Sequence, residues 1–241
     1  MTASTARGPQ RLPRYRQPHE RAFGLDQLDL KLAMHVKDTG GFFVEAGAND
    51  GISQSNTLFL ARYRGWRGLL VEPVPELAAR CRALRPESIE EQAALVDPAY
   101  GSDTVGMYFA HLMSVVEGAR GSDAEDRRHV ELGEKLQGIT SYDLEAPART
   151  LSSILDAHGI RRIDLLSLDL EGYEPAALRG LDFERHRPAW LLVEAWERST
   201  IEEIVDRWYV PVAELSELDV LYRARRRPRW RRARQPRLNA K

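Results

Sequence analysis

The chain has 241 residues, of which 43% are hydrophobic, and a formal net charge of -1, a composition typical of one well-packed soluble domain. Its longest apolar runs are a few residues, far short of the roughly 20 that a membrane-spanning helix needs, and its single cysteine excludes an internal disulfide. We therefore expect a cytoplasmic protein with one folded domain.

Positive charge is concentrated at the two ends of the chain. Residues 223–241 hold nine arginines, one lysine and no acid, so residues 1–222 carry a net charge of about -11. A tail of this kind can contact nucleic acid or an anionic surface, although its composition is more typical of a disordered, solvated end. We assign residues 1–22 to a loose basic segment, 23–222 to the folded domain and 223–241 to a disordered tail.

The first predicted element is a buried strand, residues 42–44, which leads into a glycine turn. Gly47 allows the backbone to turn sharply, and Gly51 allows a ligand or helix to approach closely. About twenty residues further on, a second short apolar strand ends at Glu72, and an acid at that position can bind both hydroxyls of a ribose. The pattern predicts a site for a nucleotide or nucleoside.

The spacing within the turn discriminates between ligands. The dinucleotide fingerprint is G-x-G-x-x-G, whereas Asn49 and Ile52 occupy the positions of its second and third glycines here. Without the second glycine the backbone has less room for a pyrophosphate, which favours a ligand without phosphates such as S-adenosylmethionine. An NAD-type oxidoreductase or epimerase is the alternative.

Strands and helices alternate along most of the chain, which predicts a parallel α/β sheet with right-handed crossovers. Residues 100–150 break this alternation and are interpreted as an insertion after the third strand, on the acceptor side, where such segments commonly form lids. We predict helices over residues 57–63, 75–84, 123–136, 151–158, 174–181 and 201–207, and strands within 88–96, 105–110, 163–168, 190–193, 209–215 and 220–222.

Three motifs in this order resemble the FkbM family of S-adenosylmethionine-dependent methyltransferases: EAGANDG at 45–51, VEP at 71–73 and SLDLEGYE at 167–174. The resemblance covers about residues 41–222, and the D-x-E-G-x-E run is its most specific part. It implies a Rossmann-like class I methyltransferase fold, with a seven-stranded, mostly parallel sheet whose last strand is reversed and helices on both faces. It also implies O-methylation of a hydroxyl on a sugar, a glycan or a polyketide-type natural product.

The resemblance also implies which residues bind S-adenosylmethionine. Its amino-acid and ribose parts would be surrounded by Glu45, Gly47, Asn49 and Gly51, and Glu72 would hold the ribose. The end of the third strand, residues 94–97 with Asp97, would lie near the adenine.

An alcohol becomes a good nucleophile only when a base removes its proton or a metal binds its oxygen. Asp169 follows the predicted fourth strand, where open α/β sheets bind their ligands, and is the first candidate for the base. Glu171 and Glu194 come next, and His111 in the insertion is a further candidate. Asp169 and Glu171 could also hold Mg²⁺, whereas Glu174 fits a structural role in the first turn of a helix.

Two other functions are less favoured by the sequence. The run Asp97-Pro98-Ala99-Tyr100 resembles the D-P-P-Y motif of enzymes that methylate base amino groups, but it lacks the second proline and follows the wrong strand. A non-catalytic adaptor that binds RNA or a membrane surface through the arginine tail is the other alternative.

Overall fold

The computed structural model describes residues 21–36 and 39–225. The strands in this part of the chain are β1 (Phe42–Ala46), β2 (Arg67–Val71), β3 (Ile89–Glu91), β4 (Ala94–Leu95), β5 (Thr104–Phe109), β6 (Val115–Val116), β7 (Tyr142–Arg149), β8 (Leu165–Leu168), β9 (Trp190–Glu194), β10 (Tyr209–Glu214) and β11 (Asp219–Ala224). The α-helices are α1 (Leu28–Ala33), α2 (Leu58–Arg64), α3 (Pro75–Leu84), α4 (Asp123–Gln137), α5 (Leu151–Ala157), α6 (Glu174–Arg179) and α7 (Arg198–Val205). Short 3-10 helices occupy Leu25–Gln27 and His111–Met113.

Seven strands form the central sheet in the order β10-β11-β9-β8-β1-β2-β3. Neighbouring strands from β3 to β9 are parallel, whereas β11 runs antiparallel to both β9 and β10. The predicted α/β fold, with a seven-stranded, mostly parallel sheet and a reversed last strand, is therefore confirmed.

Helices cover both faces of this sheet because its strands are apolar on both sides. In β1, Val44 packs in a cluster with α5, α6 and α7, whereas the preceding residue, Phe43, points to the other face and packs with α1, α2 and α3. The strand order reverses at β1, which lies between β2 and β8. Open α/β sheets bind ligands beyond the carboxyl ends of the strands at such a point.

The segment predicted as the third strand, within residues 88–96, is divided between two sheets. Ile89–Glu91 pairs with β2 in the central sheet, and Ala94–Leu95 pairs with β7 in a second sheet of order β4-β7-β5-β6. The more apolar half lies outside the central sheet because its side chains pack against those of the insertion, including Val105 and Ala146. The prediction of a single third strand within residues 88–96 was therefore wrong.

The second sheet and α4 make up most of the insertion. Strand β7 was not predicted, since its sequence YDLEAPAR is polar and only Ala146 is buried. It forms by pairing along its length with β5, a contact between residues about 40 apart in sequence. Such pairing leaves no local hydrophobic pattern to detect.

The folded part of the chain runs slightly further than predicted. Strand β11 continues to Ala224, and within it Arg223 pairs with Trp190 and places its guanidinium 5.4 Å from the centre of that indole ring. Residues 1–20 and 226–241, which contain most of the two predicted loose segments, lie outside the described residues. Within the ranges 21–36 and 39–225, no helix has the length and apolar character needed to cross a membrane.

Candidate active site

A pocket of about 700 Å³ lies at the carboxyl ends of the central strands. Its walls come from the strand-end turns and from the insertion, which contributes Met107, His111, His129, Leu132 and Leu136 among others. The pocket thus brings together residues more than 120 positions apart in sequence.

The turn after β1 is held against two other strands. The N–H groups of Gly47 and Ala48 both donate to the carbonyl of Val71, at 3.1 and 3.2 Å. Gly47 has φ +79°, and a Cβ atom at this position would lie 1.8 Å from the carbonyl oxygen of Asp169. Glycine is therefore needed here because the turn after β8 passes directly against it.

Glu72 links the turn after β1 to the turn after β2. Its carboxylate is 4% exposed and accepts hydrogen bonds from the N–H groups of Asn49 (2.8 Å) and Val74 (3.0 Å). Burial raises the pKa of Glu72 to about 8, against the lowering effect of these two hydrogen bonds. Both Glu72 and Asn49 line the pocket.

Glu45 also borders the pocket, but its carboxylate already has several protein partners. It accepts hydrogen bonds from Ser55 Oγ (2.9 Å), Asn56 N–H (2.7 Å) and Thr57 Oγ1 (2.6 Å). These contacts order the loop that leads into α2. Any contact of Glu45 with a cofactor would be additional to this role.

Two of the predicted cofactor residues do not line the pocket. Gly51 packs against α3, where a Cβ atom would lie 3.0 Å from Arg85 Cγ and 3.3 Å from Cys81 Sγ. Asp97 accepts a hydrogen bond from Ala99 N–H at 2.8 Å and so stabilises a local turn. The preceding residues 93–95 line the pocket instead.

Three predicted acids converge at the ends of β8 and β9. Asp169, Glu171 and Glu194, here called the carboxylate cluster, each place an oxygen within 4.8 Å of the others. Burial, and then the charge of Glu194, raise the pKa of Asp169 well above its usual range. Burial, and then the charge of Glu171, raise the pKa of Glu194 to about 8. Each additional negative charge in this cluster is therefore costly.

The insertion contacts the carboxylate cluster through Glu171, which has φ +55°. Arg120 donates from Nη1 to the carbonyl oxygen of Glu171 at 3.2 Å, and the same nitrogen is 3.9 Å from Glu171 Oε2. His129, on α4, places Nε2 3.2 Å from Glu171 Oε2. Trp196 Nε1 donates to Glu194 at 2.9 Å, and its ring stacks 4.1 Å from the Arg120 guanidinium.

Sequence reasoning missed Arg120, His129 and Trp196. None belongs to a short motif, and their approach to the carboxylate cluster depends on how the insertion folds back over the sheet. The only local signal was that Trp196 follows the strand-end acid Glu194 by two residues.

His111 also lines the pocket, with φ +53°. The pKa of Asp50, in the turn after β1, is lowered. Burial alone would raise this pKa, but hydrogen bonds from Ser53 and Ile52 and the charge of His111 outweigh the effect of burial. The structure therefore places His111 near the turn after β1.

Glu174 closes the turn that carries Asp169 and Glu171. It is 1% exposed and accepts hydrogen bonds from the N–H groups of Leu170 (2.6 Å) and Gly172 (3.1 Å). Its contacts are those of a residue that shapes this turn.

The solved structures that resemble this chain include two methyltransferases and a pre-rRNA processing protein. An FkbM methyltransferase from Methylobacillus flagellatus is 15% identical with a TM-score of 0.45, over 76% of this chain and 43% of that one. A TehB-like SAM-dependent methyltransferase from Corynebacterium glutamicum is 12% identical with a TM-score of 0.42, over 82% and 87% of the two chains. The fibrillarin pre-rRNA processing protein of Methanococcus jannaschii is 10% identical with a TM-score of 0.37, over 77% and 66%. The chain thus spans less than half the length of the Methylobacillus protein.

A search of the curated proteins gives no match. The family model described as the methyltransferase FkbM domain matches residues 45–210, which include the turn after β1, Glu72 and the whole carboxylate cluster. This match extends over more than half of the 241 residues. The chain therefore belongs to the FkbM methyltransferase family.

Proposed function

We propose that this protein is an S-adenosylmethionine-dependent O-methyltransferase whose acceptor is a hydroxyl of a sugar, a glycan or a polyketide-type natural product. The observation that carries the proposal is that Glu72 and the carboxylate cluster line one pocket at the strand-order reversal. Family membership supports methyl transfer. Among the described residues that line the pocket, none favours the oxidoreductase or epimerase alternative over it.

The cofactor half of the pocket is formed by the turns after β1 and β2. Glu72 would accept hydrogen bonds from the ribose hydroxyls, since it lines the pocket and its two oxygens have acceptor capacity beyond the two backbone N–H groups that they already bind. The turn at Gly47 and Asn49 would surround the amino-acid part, and Ala94 and Leu95 supply an apolar wall suited to an adenine ring.

The cofactor's charge also suits this pocket. S-adenosylmethionine carries a sulfonium cation, and the carboxylate cluster provides negative charge in a half-buried setting where electrostatic attraction is stronger than in bulk water. A pocket lined by acids at this position would disfavour the diphosphate of a dinucleotide.

The acceptor half contains the groups that could activate a hydroxyl. Methyl transfer to an alcohol releases its proton, and a carboxylate with a raised pKa is a stronger base for that proton. Asp169 is our first choice because it directly follows β8, at the edge of the sheet where ligands bind, and has a raised pKa. Asp169 acts either as this base or as a ligand of Mg²⁺, with Glu171 and Glu194 as supporting groups.

The wall contributed by the insertion suits an acceptor with both polar and apolar parts. Leu132 and Leu136, one helical turn apart on α4, line the pocket, and Leu136 is 70% exposed. Large exposed apolar side chains at a pocket are a common sign of ligand contact. A polyketide or a substituted sugar offers hydroxyls for the carboxylate cluster and apolar surface for these leucines.

The proposal is tested by cofactor titration followed by product analysis. Calorimetry should give saturable binding of S-adenosylmethionine and none of NAD, with binding weakened at least about tenfold in Glu72→Ala. Glu217→Ala, at an exposed turn position, is the control and should bind as the native chain does. Incubation with a panel of monosaccharides and macrolide aglycones should then give a product heavier by one methylene. Binding of NAD without S-adenosylmethionine would refute the proposal.

A further inference from the structure

Negative charge at the carboxylate cluster exceeds the positive charge that the protein supplies. Asp169, Glu171 and Glu194 each place an oxygen within 4.8 Å of the others. Arg120 is the permanently charged group beside Glu171: its Nη1 is 3.9 Å from Glu171 Oε2, and its guanidinium stacks on Trp196. One guanidinium at that distance cannot balance three carboxylates that are partly removed from water.

The separations within the carboxylate cluster suit a single hard cation. Octahedral Mg²⁺ binds oxygen at about 2.1 Å, so its ligand oxygens lie about 3.0 to 4.2 Å apart. The three carboxylates already hold oxygens within 4.8 Å of one another. Side-chain rotations that move each oxygen by up to about 1 Å would bring all three within bonding distance.

A second observation points into the same space. The His129 side chain is 8% exposed, and its Nε2 has no hydrogen-bond partner among the described residues although it lies 3.2 Å from Glu171 Oε2. A buried ring nitrogen that makes no well-aligned hydrogen bond is unusual. At this position it can bind a water of the cation or orient the Glu171 carboxylate, as the outer groups of metal sites commonly do.

We propose that Asp169, Glu171 and Glu194 bind one divalent cation, Mg²⁺ or Mn²⁺, with His129 as an outer-shell partner. Asp169 and Glu171 are two ligands from the turn after β8, and Glu194, at the end of β9, supplies the third. Three carboxylates leave coordination positions for water and for an oxygen of the acceptor, a use that rests on the proposed function. The cation site itself does not depend on that function.

Manganese binding tests this proposal directly. Mn²⁺ alone is titrated into the full chain and followed by electron paramagnetic resonance, with Mg²⁺ as a competitor. We expect one ion per chain with a dissociation constant below about 1 mM, and a loss of at least about tenfold in both Glu194→Gln and Asp169→Asn. Both variants keep the side-chain shape and remove a repelled charge, so they should fold. Glu217→Gln should bind Mn²⁺ as the native chain does.

Parallel titrations with S-adenosylmethionine separate the two proposals. Normal cofactor binding together with no Mn²⁺ binding, or with Mn²⁺ binding that is unchanged in both variants, overturns the cation site and leaves the methyltransferase proposal standing. Loss of Mn²⁺ affinity in the variants of a protein that binds no S-adenosylmethionine would support the cation site and overturn the methyltransferase proposal.

Discussion

Replacing Gly47 by alanine should damage the active site through a backbone contact. The new Cβ atom would lie 1.8 Å from the Asp169 carbonyl oxygen, whereas ordinary contacts begin at 3.4 Å. One of the two turns must therefore withdraw by about 1.6 Å, because neither contacting group is a flexible side chain. The turn after β8 carries the carboxylate cluster, so its withdrawal would also misplace Asp169.

The loss of stability expected for Gly47→Ala has two parts. Alanine at φ +79° costs about 1–2 kcal/mol in conformational energy. The overlap adds about 1–3 kcal/mol, as for other overpacked sites. We expect the free energy of unfolding to fall by about 2–5 kcal/mol in all. Any methyl transfer should fall by about 100-fold, the usual cost of a 1 Å misplacement of reacting groups.

Gly65→Ala is the matched control, since Gly65 has φ +65° and no atom would lie within 4 Å of its new Cβ. It should lose only the conformational part, about 1–2 kcal/mol, and bind S-adenosylmethionine normally. Urea denaturation and calorimetric titration of both variants measure the difference. Equal losses of stability, with equal cofactor affinity, would refute the argument that the two turns are in obligatory contact.

Three further substitutions test individual acids. The pKa of Glu72 is raised from 4.5 to about 8, so between these pH values the folded state holds a proton that the unfolded state has lost. The native chain should therefore lose stability relative to Glu72→Gln as pH rises from 5 to 8. A pH-independent difference between the two proteins in urea denaturation would contradict this. Glu45→Gln should lower the free energy of unfolding by about 2–3 kcal/mol, because the charge-assisted hydrogen bonds that Glu45 accepts from Ser55 and Thr57 are lost. A loss of less than about 0.5 kcal/mol, typical of a surface substitution, would show that these hydrogen bonds contribute little. Asp97→Asn should leave S-adenosylmethionine affinity unchanged in calorimetry, since Asp97 lies outside the pocket, and a clear loss of affinity would place Asp97 at the cofactor.

The alternation of strands and helices was predictable because it is encoded locally. Helix α3 begins at Pro75 and ends at Leu84, as predicted, since proline favours the first helical turn. The third strand and β7 were not predictable in this way. Both depend on pairing with distant segments of the insertion, and β7 has a mostly polar sequence.

The strand-end acids of the site were predictable for a topological reason. Parallel strands end at the same edge of a sheet, so the acids at the ends of β2, β8 and β9 had to lie along that one edge. The acid at position 97 did not follow this rule, because its strand belongs to the second sheet. Arg120 and His129 could not be predicted as site residues from the sequence, since only the folded insertion brings them to Glu171.

The most direct test of the whole account is a calorimetric titration of the native chain with S-adenosylmethionine, repeated with Glu72→Ala and with NAD. We predict saturable binding of one S-adenosylmethionine per chain, its loss or strong weakening in the variant, and no binding of NAD. Absence of S-adenosylmethionine binding by the folded native chain would contradict the account.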